Sequence, residues 1–316
     1  MAVSTVVTEV YPKTILSFNQ SPDLPFDRSI NAYRGCEHGC VYCFARPTHA
    51  YHDLSPGLDF ERRLFAKPRA AELLRQTLSR PKYRPQPIAM GTNTDPYQPI
   101  ERDYRITRQL LEVCLDARHP VTITTKSDRV LHDLDLLTEM ARHDLVAVGI
   151  SVTSLDPVLS GKLEPRAASP QKRLAALGTL AEAGVPAHCS IAPVIPAITD
   201  EFMERIVAEA AKLGVRSAGW IPLRLPHEVA PLFREWLAVH YPERAGKVMS
   251  IVRSIRNGKD NDPDFFTRMK PSGVWADLFR TRFRIACKRA GIGKDKVALD
   301  CSKFRPPVSG GQLRLF

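Results

Sequence analysis

The sequence predicts an α/β fold built on a parallel sheet, and two observations carry that expectation. Short β-branched runs alternate with amphipathic helical patterns at intervals of roughly thirty residues, the rhythm of strand–helix–strand units. Polar clusters then follow the predicted strands, as expected where the loops after parallel strands build a site. The expected strands fall at 30–34, 87–92, 121–126, 146–153, 187–193 and 217–223. Between them, 69–80, 105–118, 131–143, 170–183 and 201–213 read as helices with one apolar face. In the second of these, Ile106, Leu110, Val113, Cys114 and Ala117 share a face, which makes Cys114 a core residue. Gly184 and Gly214 sit where C-terminal caps belong. Six such units give a parallel sheet with right-handed crossovers, compatible with a doubly wound sheet or with a barrel. No Gly-x-Gly-x-x-Gly follows the first strand, which weakens a dinucleotide-binding reading.

Beyond this core, 228–241, 243–256 and 272–290 read as helices, with the turn-rich stretch 257–263 inside them. The expected organisation is an N-terminal arm at 1–27, a core at 28–225 and a helical, basic C-terminal extension at 226–316, its last residues, 306–316, forming a peripheral arm.

Composition narrows the class. The chain has 316 residues, 44% of them hydrophobic, enough for one large core. Seven cysteines is an odd number, and Cys114, Cys189, Cys287 and Cys301 are scattered singly, so no disulfide framework is expected. The N-terminus lacks a basic segment followed by a long apolar one, and no run approaches the roughly 20 apolar residues a bilayer requires. A soluble, cytoplasmic monomer is expected, with no membrane partner. Net charge is +11, from 45 basic and 34 acidic residues. Between Arg280 and Arg305 nine Lys or Arg stand against two Asp, a stretch suited to neutralising phosphates or to forming a solvated helix face and tail.

The most informative local feature is Cys36-x3-Cys40-x2-Cys43. Three thiolates on a short loop, with Gly35 and Gly39 to let it turn, can converge on one metal centre. They bring no fourth thiolate, whereas a structural zinc site wants four closed ligands. A cubane held by three cysteines leaves one iron open for chemistry. The competing assignment is a zinc knuckle with His38 or His49 as fourth ligand.

With Tyr42 before the last cysteine, the motif resembles the signature of radical S-adenosylmethionine enzymes. The longer string from Tyr33 through Arg34, Gly35, Cys36, His38, Gly39, Cys40, Tyr42 and Cys43 to Ala45 and Arg46 resembles the branch containing spore photoproduct lyase and its DNA-repair-lyase-like relatives. That resemblance implies a partial (β/α)6 TIM-like barrel over about 28–225. It implies a [4Fe-4S] cluster on Cys36, Cys40 and Cys43. It implies S-adenosyl-L-methionine at the fourth iron, cleaved to a 5′-deoxyadenosyl radical that abstracts hydrogen from substrate. It also implies an external electron donor, flavodoxin- or ferredoxin-like.

Further residues follow from the resemblance. The loop after the second strand takes the place of the family's Gly-Gly-Glu motif; here that motif is absent, and Asn93, Thr94 and Asp95 are the candidates for the cofactor amino group. The string Thr94-Asp95-Pro96-Tyr97-Gln98-Pro99 is typical of the lyase-like branch. Lys126 and Ser151 match cofactor-contacting positions. Arg166 offers a guanidinium for the methionyl carboxylate, with Glu164 beside it to orient it. Val194 and Ile195 resemble the apolar motif that packs the adenine. Each has a plainer reading: Asp95 opens an Asx-turn, and Lys126 and Arg166 bridge neighbouring carboxylates. Arg224 and His227 follow the sixth strand; an isolated histidine near a helix start is often a surface residue or a cap. The lyase's hydrogen-donating cysteine has no counterpart between Gly91 and Glu101, which puts spore photoproduct repair itself in doubt. Cys301 is the remote candidate for that role.

Three functions follow. The first is radical chemistry on a DNA or RNA substrate. The second is the same chemistry on a protein, peptide or small molecule. The third is a non-catalytic, metal-stabilised nucleic-acid-binding protein.

Overall fold

A computed structural model describes residues 4–293 and 297–307. Lys294 and Lys296 of the basic stretch, and all but the start of the expected arm at 306–316, lie outside the described residues. In chain order the strands are β1 (Val6–Glu9), β2 (Leu16–Phe18), β3 (Arg28–Ile30), β4 (Tyr33–Arg34), β5 (Arg63–Ala66), β6 (Ile88–Met90), β7 (Val121–Thr125), β8 (Val146–Ser151), β9 (Ala187–Val194) and β10 (Ser217–Pro222). The helices are α1 (Leu58–Arg62), α2 (Ala70–Leu78), α3 (Glu101–Tyr104), α4 (Ile106–Asp116), α5 (Leu134–Ala141), α6 (Pro157–Leu163), α7 (Pro170–Glu182), α8 (Met203–Lys212), α9 (Val229–His240), α10 (Pro242–Ser254) and α11 (Val274–Ala290).

The main sheet runs β10-β9-β8-β7-β6-β3-β2. Its six chain-ordered strands from β3 to β10 are parallel, and β2 is antiparallel on the edge. Because β10 and β2 remain edges, the arrangement is a partial barrel. Its inner strands are apolar on both faces, as a sheet covered by helices must be. Ile88, Met90, Ile123, Val148, Ile150 and Ile191 are each at most 2% exposed. Register is continuous: Ile123 faces Val148, and Val148 faces Ala187.

The helices form the outer layer, α2 against α4, α4 against α5, α7 against α8. Their starts have identifiable causes. Ser169 accepts the Lys172 N–H and Pro170 opens α7; Asp156 accepts the Val158 N–H and Pro157 opens α6. Gly184 and Gly214 follow α7 and α8 in the left-handed conformation expected of them.

Two expectations change. The first strand, expected at 30–34, is divided. Arg28–Ile30 belongs to the main sheet, whereas Tyr33–Arg34 pairs with β5 in a second sheet of order β1-β5-β4. Asn31 causes the break by turning its side chain to the loop after β6, where Oδ1 accepts the N–H groups of Asn93 at 3.0 Å and Thr94 at 3.3 Å.

The basic stretch 280–305 divides between two places, with Arg284, Lys288 and Arg289 exposed on α11. Arg280 pairs with Asp277, and Arg282 binds Asp200, in the short turn before α8, and Glu204 on α8 itself. The chain then crosses to the opposite end of the barrel. There the Asp300 N–H meets the Asp144 carbonyl at 2.9 Å and the Arg305 N–H meets the Ala117 carbonyl at 2.8 Å, both just before strands begin. Cys301 therefore lies at the strand starts, away from the cysteine loop, and cannot return a hydrogen there.

Candidate active site

The cysteine loop leaves β4 and is fastened from several directions. The Cys36 N–H donates to the Phe60 carbonyl at 2.9 Å and the Val41 N–H to the Leu163 carbonyl at 3.0 Å. Arg46, 3% exposed, gathers the loop around one guanidinium: it donates to the carbonyls of Cys40 at 2.9 Å, Gly39 at 3.1 Å, Gly57 at 2.9 Å and Pro56 at 3.0 Å, and to Glu61 at 2.6 Å. Gln98 spans the opening turn, accepting the Glu37 N–H at 2.9 Å and donating to the Gly35 carbonyl at 3.2 Å. Gly39 has φ of +68°, and a Cβ there would stand 2.7 Å from a Glu61 carboxylate oxygen, so the turn requires glycine.

All three thiols are free; Cys36 and Cys40 are buried and Cys43 is partly so. Burial pushes each of them up, Cys40 to about 12. A cationic metal centre reverses that balance, because a coordinating thiol is deprotonated outright. The Lys126 ammonium works in the same direction on Cys40 and Cys43. Among the described residues no group of three His, Cys, Asp or Glu closes on a single ion. Cysteines that each hold a different iron of a cubane need not converge that tightly. The two histidines weighed as zinc ligands are engaged elsewhere: His38 Nδ1 lies 3.3 Å from Asp95, and His49 Nε2 lies 2.9 Å from the Arg63 carbonyl. The donor set fits an open, three-thiolate cluster better than a closed tetrahedral site.

The strand ends meet the loop at two carboxylates. Asp95 is the first. It accepts from Thr125 Oγ1 at 2.7 Å, the Lys126 N–H at 2.7 Å and the Tyr97 N–H at 2.9 Å, and it pairs with His38. Burial would raise its carboxyl, yet the His38 charge and these hydrogen bonds hold it down at about 2. Asp95 thus ties the ends of β6 and β7 to the cysteine loop. The bond to Tyr97 two residues on is the Asx-turn its sequence context predicted. Gly91 permits this close approach: with φ of +86°, a Cβ would sit 2.0 Å from the Thr124 carbonyl oxygen.

Glu164 is the second. It is 1% exposed and receives Tyr42 Oη, Thr153 Oγ1 at 2.8 Å and the fully buried Arg173 guanidinium. Burial opposes its charge, but Arg173 and Lys126 together hold it at about 2. The sequence reading paired Glu164 with Arg166; the structure pairs it with Arg173, whose other N–H groups bind the carbonyls of Ala168 at 2.7 Å and Ser151 at 3.1 Å. Nothing in local spacing marked Arg173, which reaches the strand ends from inside α7. Tyr42 connects this pair directly to the cysteine motif.

The remaining candidates divide by environment. Arg166 donates to Glu61 and to the Glu37 carbonyl, while its own N–H meets the His38 carbonyl at 3.2 Å. Two of its guanidinium nitrogens are thus engaged, Nε on the cysteine loop and one Nη on α1, while the other Nη makes no hydrogen bond among the described residues. Val194 and Ile195 are 1% and 0% exposed and belong to the core, with Ser151 at 3% on the end of β8. Thr94 is buried and donates to the Tyr33 carbonyl at 3.4 Å. Asn93 is partly exposed, its amide 3.5 Å from Thr48 Oγ1. Lys126 is partly exposed with its ammonium 5.8 Å from the Tyr42 ring centre. His227 has a left-handed backbone two residues ahead of α9, whose N-cap position is Glu228 and carries no side-chain capping bond.

A test of the Arg166 placement is direct. Arg166→Ala should cost about 1 kcal/mol, since the ion pair is partly solvated, and should speed amide exchange across residues 36–41. Unchanged exchange there, with weakened S-adenosylmethionine binding, would return Arg166 to the ligand.

Residues 30–210 match the family model described as the radical SAM superfamily. The chain belongs to that superfamily. Among sequence relatives of this radical SAM enzyme, uncharacterised proteins of Mycobacterium bovis and Mycobacterium tuberculosis are 37% identical over 232 residues, 73% of this chain and 68% of theirs. An uncharacterised protein of Methanocaldococcus jannaschii is 30% identical over 215 residues, 68% of this chain and 76% of its own. Among solved structures, spore photoproduct lyase complexed with a dinucleoside spore photoproduct superposes with a TM-score of 0.64 at 15% identity, covering 90% of this chain and 79% of that one. A variant of that lyase with bound AdoMet gives 0.58 at 16% identity over the same shares. This chain therefore shares the fold of the lyase. Membership also sets aside the non-catalytic reading: this is a radical SAM enzyme. Among the described residues no helix is long and apolar enough to cross a membrane.

Proposed function

We propose that the chain holds a [4Fe-4S] cluster on Cys36, Cys40 and Cys43, binds S-adenosylmethionine at the open iron, and acts on a nucleic acid. The observation that carries the first part is the three-thiol loop fastened by Arg46 against strand ends that bring Lys126, Asp95 and Glu164 beside it. When bound, the cluster supplies the electron that cleaves the sulfonium and releases a 5′-deoxyadenosyl radical.

The protein's own part is to bind, orient and exclude water. Lys126, for which no carboxylate lies within ion-pair distance among the described residues, offers a charge for the methionyl carboxylate. Asn93 offers an amide for the amino group. Thr94 and Ser151 at the strand ends, with Val194 and Ile195 packed in the core beside them, are the residues we assign to the adenosyl group. Asp95 and Arg166 fix the cysteine loop. We assign the chemistry to residues 28–225, with 1–27 as an arm, 226–316 as an extension and a flavodoxin- or ferredoxin-like donor supplying electrons.

A nucleic-acid substrate is supported by the net charge of +11 and by the fold shared with a lyase that binds a dinucleoside photoproduct. The test is formation of 5′-deoxyadenosine by anaerobically reconstituted enzyme with and without DNA or RNA. Stimulation by nucleic acid is expected, with binding that weakens steeply as salt rises. Turnover indifferent to both nucleic acids would shift the substrate to a peptide or small molecule.

A further inference from the structure

Just past the end of β10 the chain carries an arginine for which no ion pair is made among the described residues. Arg224 follows Leu223, whose N–H meets the Val194 carbonyl at 3.0 Å, so it stands at the same strand-end face as the cysteine loop. Its guanidinium lies 6.0 Å from the ring of Phe44, the residue after Cys43. The hydrogen bond it makes is to a thioether, Met269 Sδ, at 3.3 Å, and its buried Nε has no partner among the described residues.

Neither neighbouring carboxylate lies within ion-pair distance of Arg224 among the described residues. Asp23 takes both nitrogens of Arg268 at 2.6 and 2.7 Å. Asp262 accepts the Asp264 N–H at 3.0 Å. Arg256, 1% exposed, adds a third guanidinium, turned onto the carbonyls of Leu223 at 3.0 Å and Arg268. Three cations therefore share two anions. Burial, and next the Arg268 charge, both work against the charge on Arg224. A guanidinium cannot shed its proton to relieve this, so an arriving anion would be favoured there.

The surroundings indicate which anion. Phe44 is 52% exposed and Phe265 and Phe266 are 51% and 53% exposed, with Arg268 4.8 Å from the Phe265 ring. Arg224 beside the exposed Phe44 ring, and Arg268 beside the exposed Phe265 ring, suit a phosphate flanked by a base, which stacks on such a ring while the guanidinium takes two phosphate oxygens. We propose that Arg224 is the subsite for a backbone phosphate of the nucleic-acid substrate, with Phe44 as the platform for the adjoining base. It rests on the nucleic-acid reading given above and adds to it the point where the strand enters beside the cluster.

The experiment measures binding of a short, labelled single-stranded DNA by anisotropy across a salt series, with S-adenosylmethionine affinity measured by calorimetry on the same preparations. Arg224→Gln should weaken DNA binding roughly tenfold or more and make the salt slope shallower by about 0.7, one phosphate contact on a single strand. Arg224→Lys should keep the slope while losing part of the affinity, and the cofactor affinity of both variants should match wild type. If wild type binds DNA and Arg224→Gln binds it equally with the same slope, the subsite is wrong and the nucleic-acid reading stands. If Arg224→Gln loses S-adenosylmethionine affinity instead, the guanidinium serves the cofactor and the proposal fails. Absence of salt-dependent binding by wild type would remove both the reading and the subsite.

Discussion

Arg173→Met is expected to lower the unfolding free energy by about 3–5 kcal/mol, because it strips the counter-charge from a carboxylate that has no access to water. Arg173 and Glu164 have side-chain exposures of 1% and 0%. With Arg173 gone, Glu164 would keep only Tyr42, Thr153, a weak contact to Ser160 and the more distant Lys126, and the carbonyls of Ser151 and Ala168 would lose their donors. The sign of the pH response follows. In wild type the Glu164 carboxyl, held at about 2 in the fold, contributes stability that is complete above its unfolded value and fades as pH falls from about 4.5 towards 2. In the variant burial dominates and the folded carboxyl rises above the unfolded one, so stability should instead decline as pH rises through the weakly acidic range. Replacing both partners, as Arg173→Met with Glu164→Leu, should recover much of the loss. Denaturant unfolding at several pH values reads all of this, and a single variant within about 1 kcal/mol of wild type would show that the pair is not a buried ion pair in solution.

Replacing any one of Cys36, Cys40 and Cys43 with Ala should abolish iron retention and 5′-deoxyadenosine formation while leaving the fold. Each thiol contributes little apolar area, so the cost to folding is on the order of 1 kcal/mol. The loop itself is kept by Arg46, Asp95 and Gln98, none of which depends on a thiolate. The expected outcome is native circular dichroism and thermal cooperativity with colourless protein. A single variant with full iron content and turnover would contradict three-cysteine ligation.

Much of this was legible in the sequence because the inner strands are β-branched runs and the helices have strong apolar faces, so period alone located them. The cysteine spacing likewise exposed the loop. The parts that were hidden depend on partners far along the chain. Tyr33–Arg34 reads as a continuation of the first strand, yet its partner is β5, some thirty residues on. Asp95 carries an Asx-turn signal that was visible, but its bonds to Thr125, Lys126 and His38 need the strand ends side by side. Arg173 looked like one more charged residue on α7 and proves to be buried. The placement of the basic run at 280–305 was hidden as well, because sequence does not show that α11 docks on α8 through Arg282 or that 300–305 lies at the other end of the barrel.

The measurement that tests the central claim most directly is iron and 5′-deoxyadenosine per chain after anaerobic reconstitution of wild type with iron and sulfide, followed by a strong one-electron reductant and S-adenosylmethionine. A brown protein with about four irons per chain that forms 5′-deoxyadenosine is the predicted result. A colourless protein holding one tightly bound zinc, forming no 5′-deoxyadenosine, would contradict it.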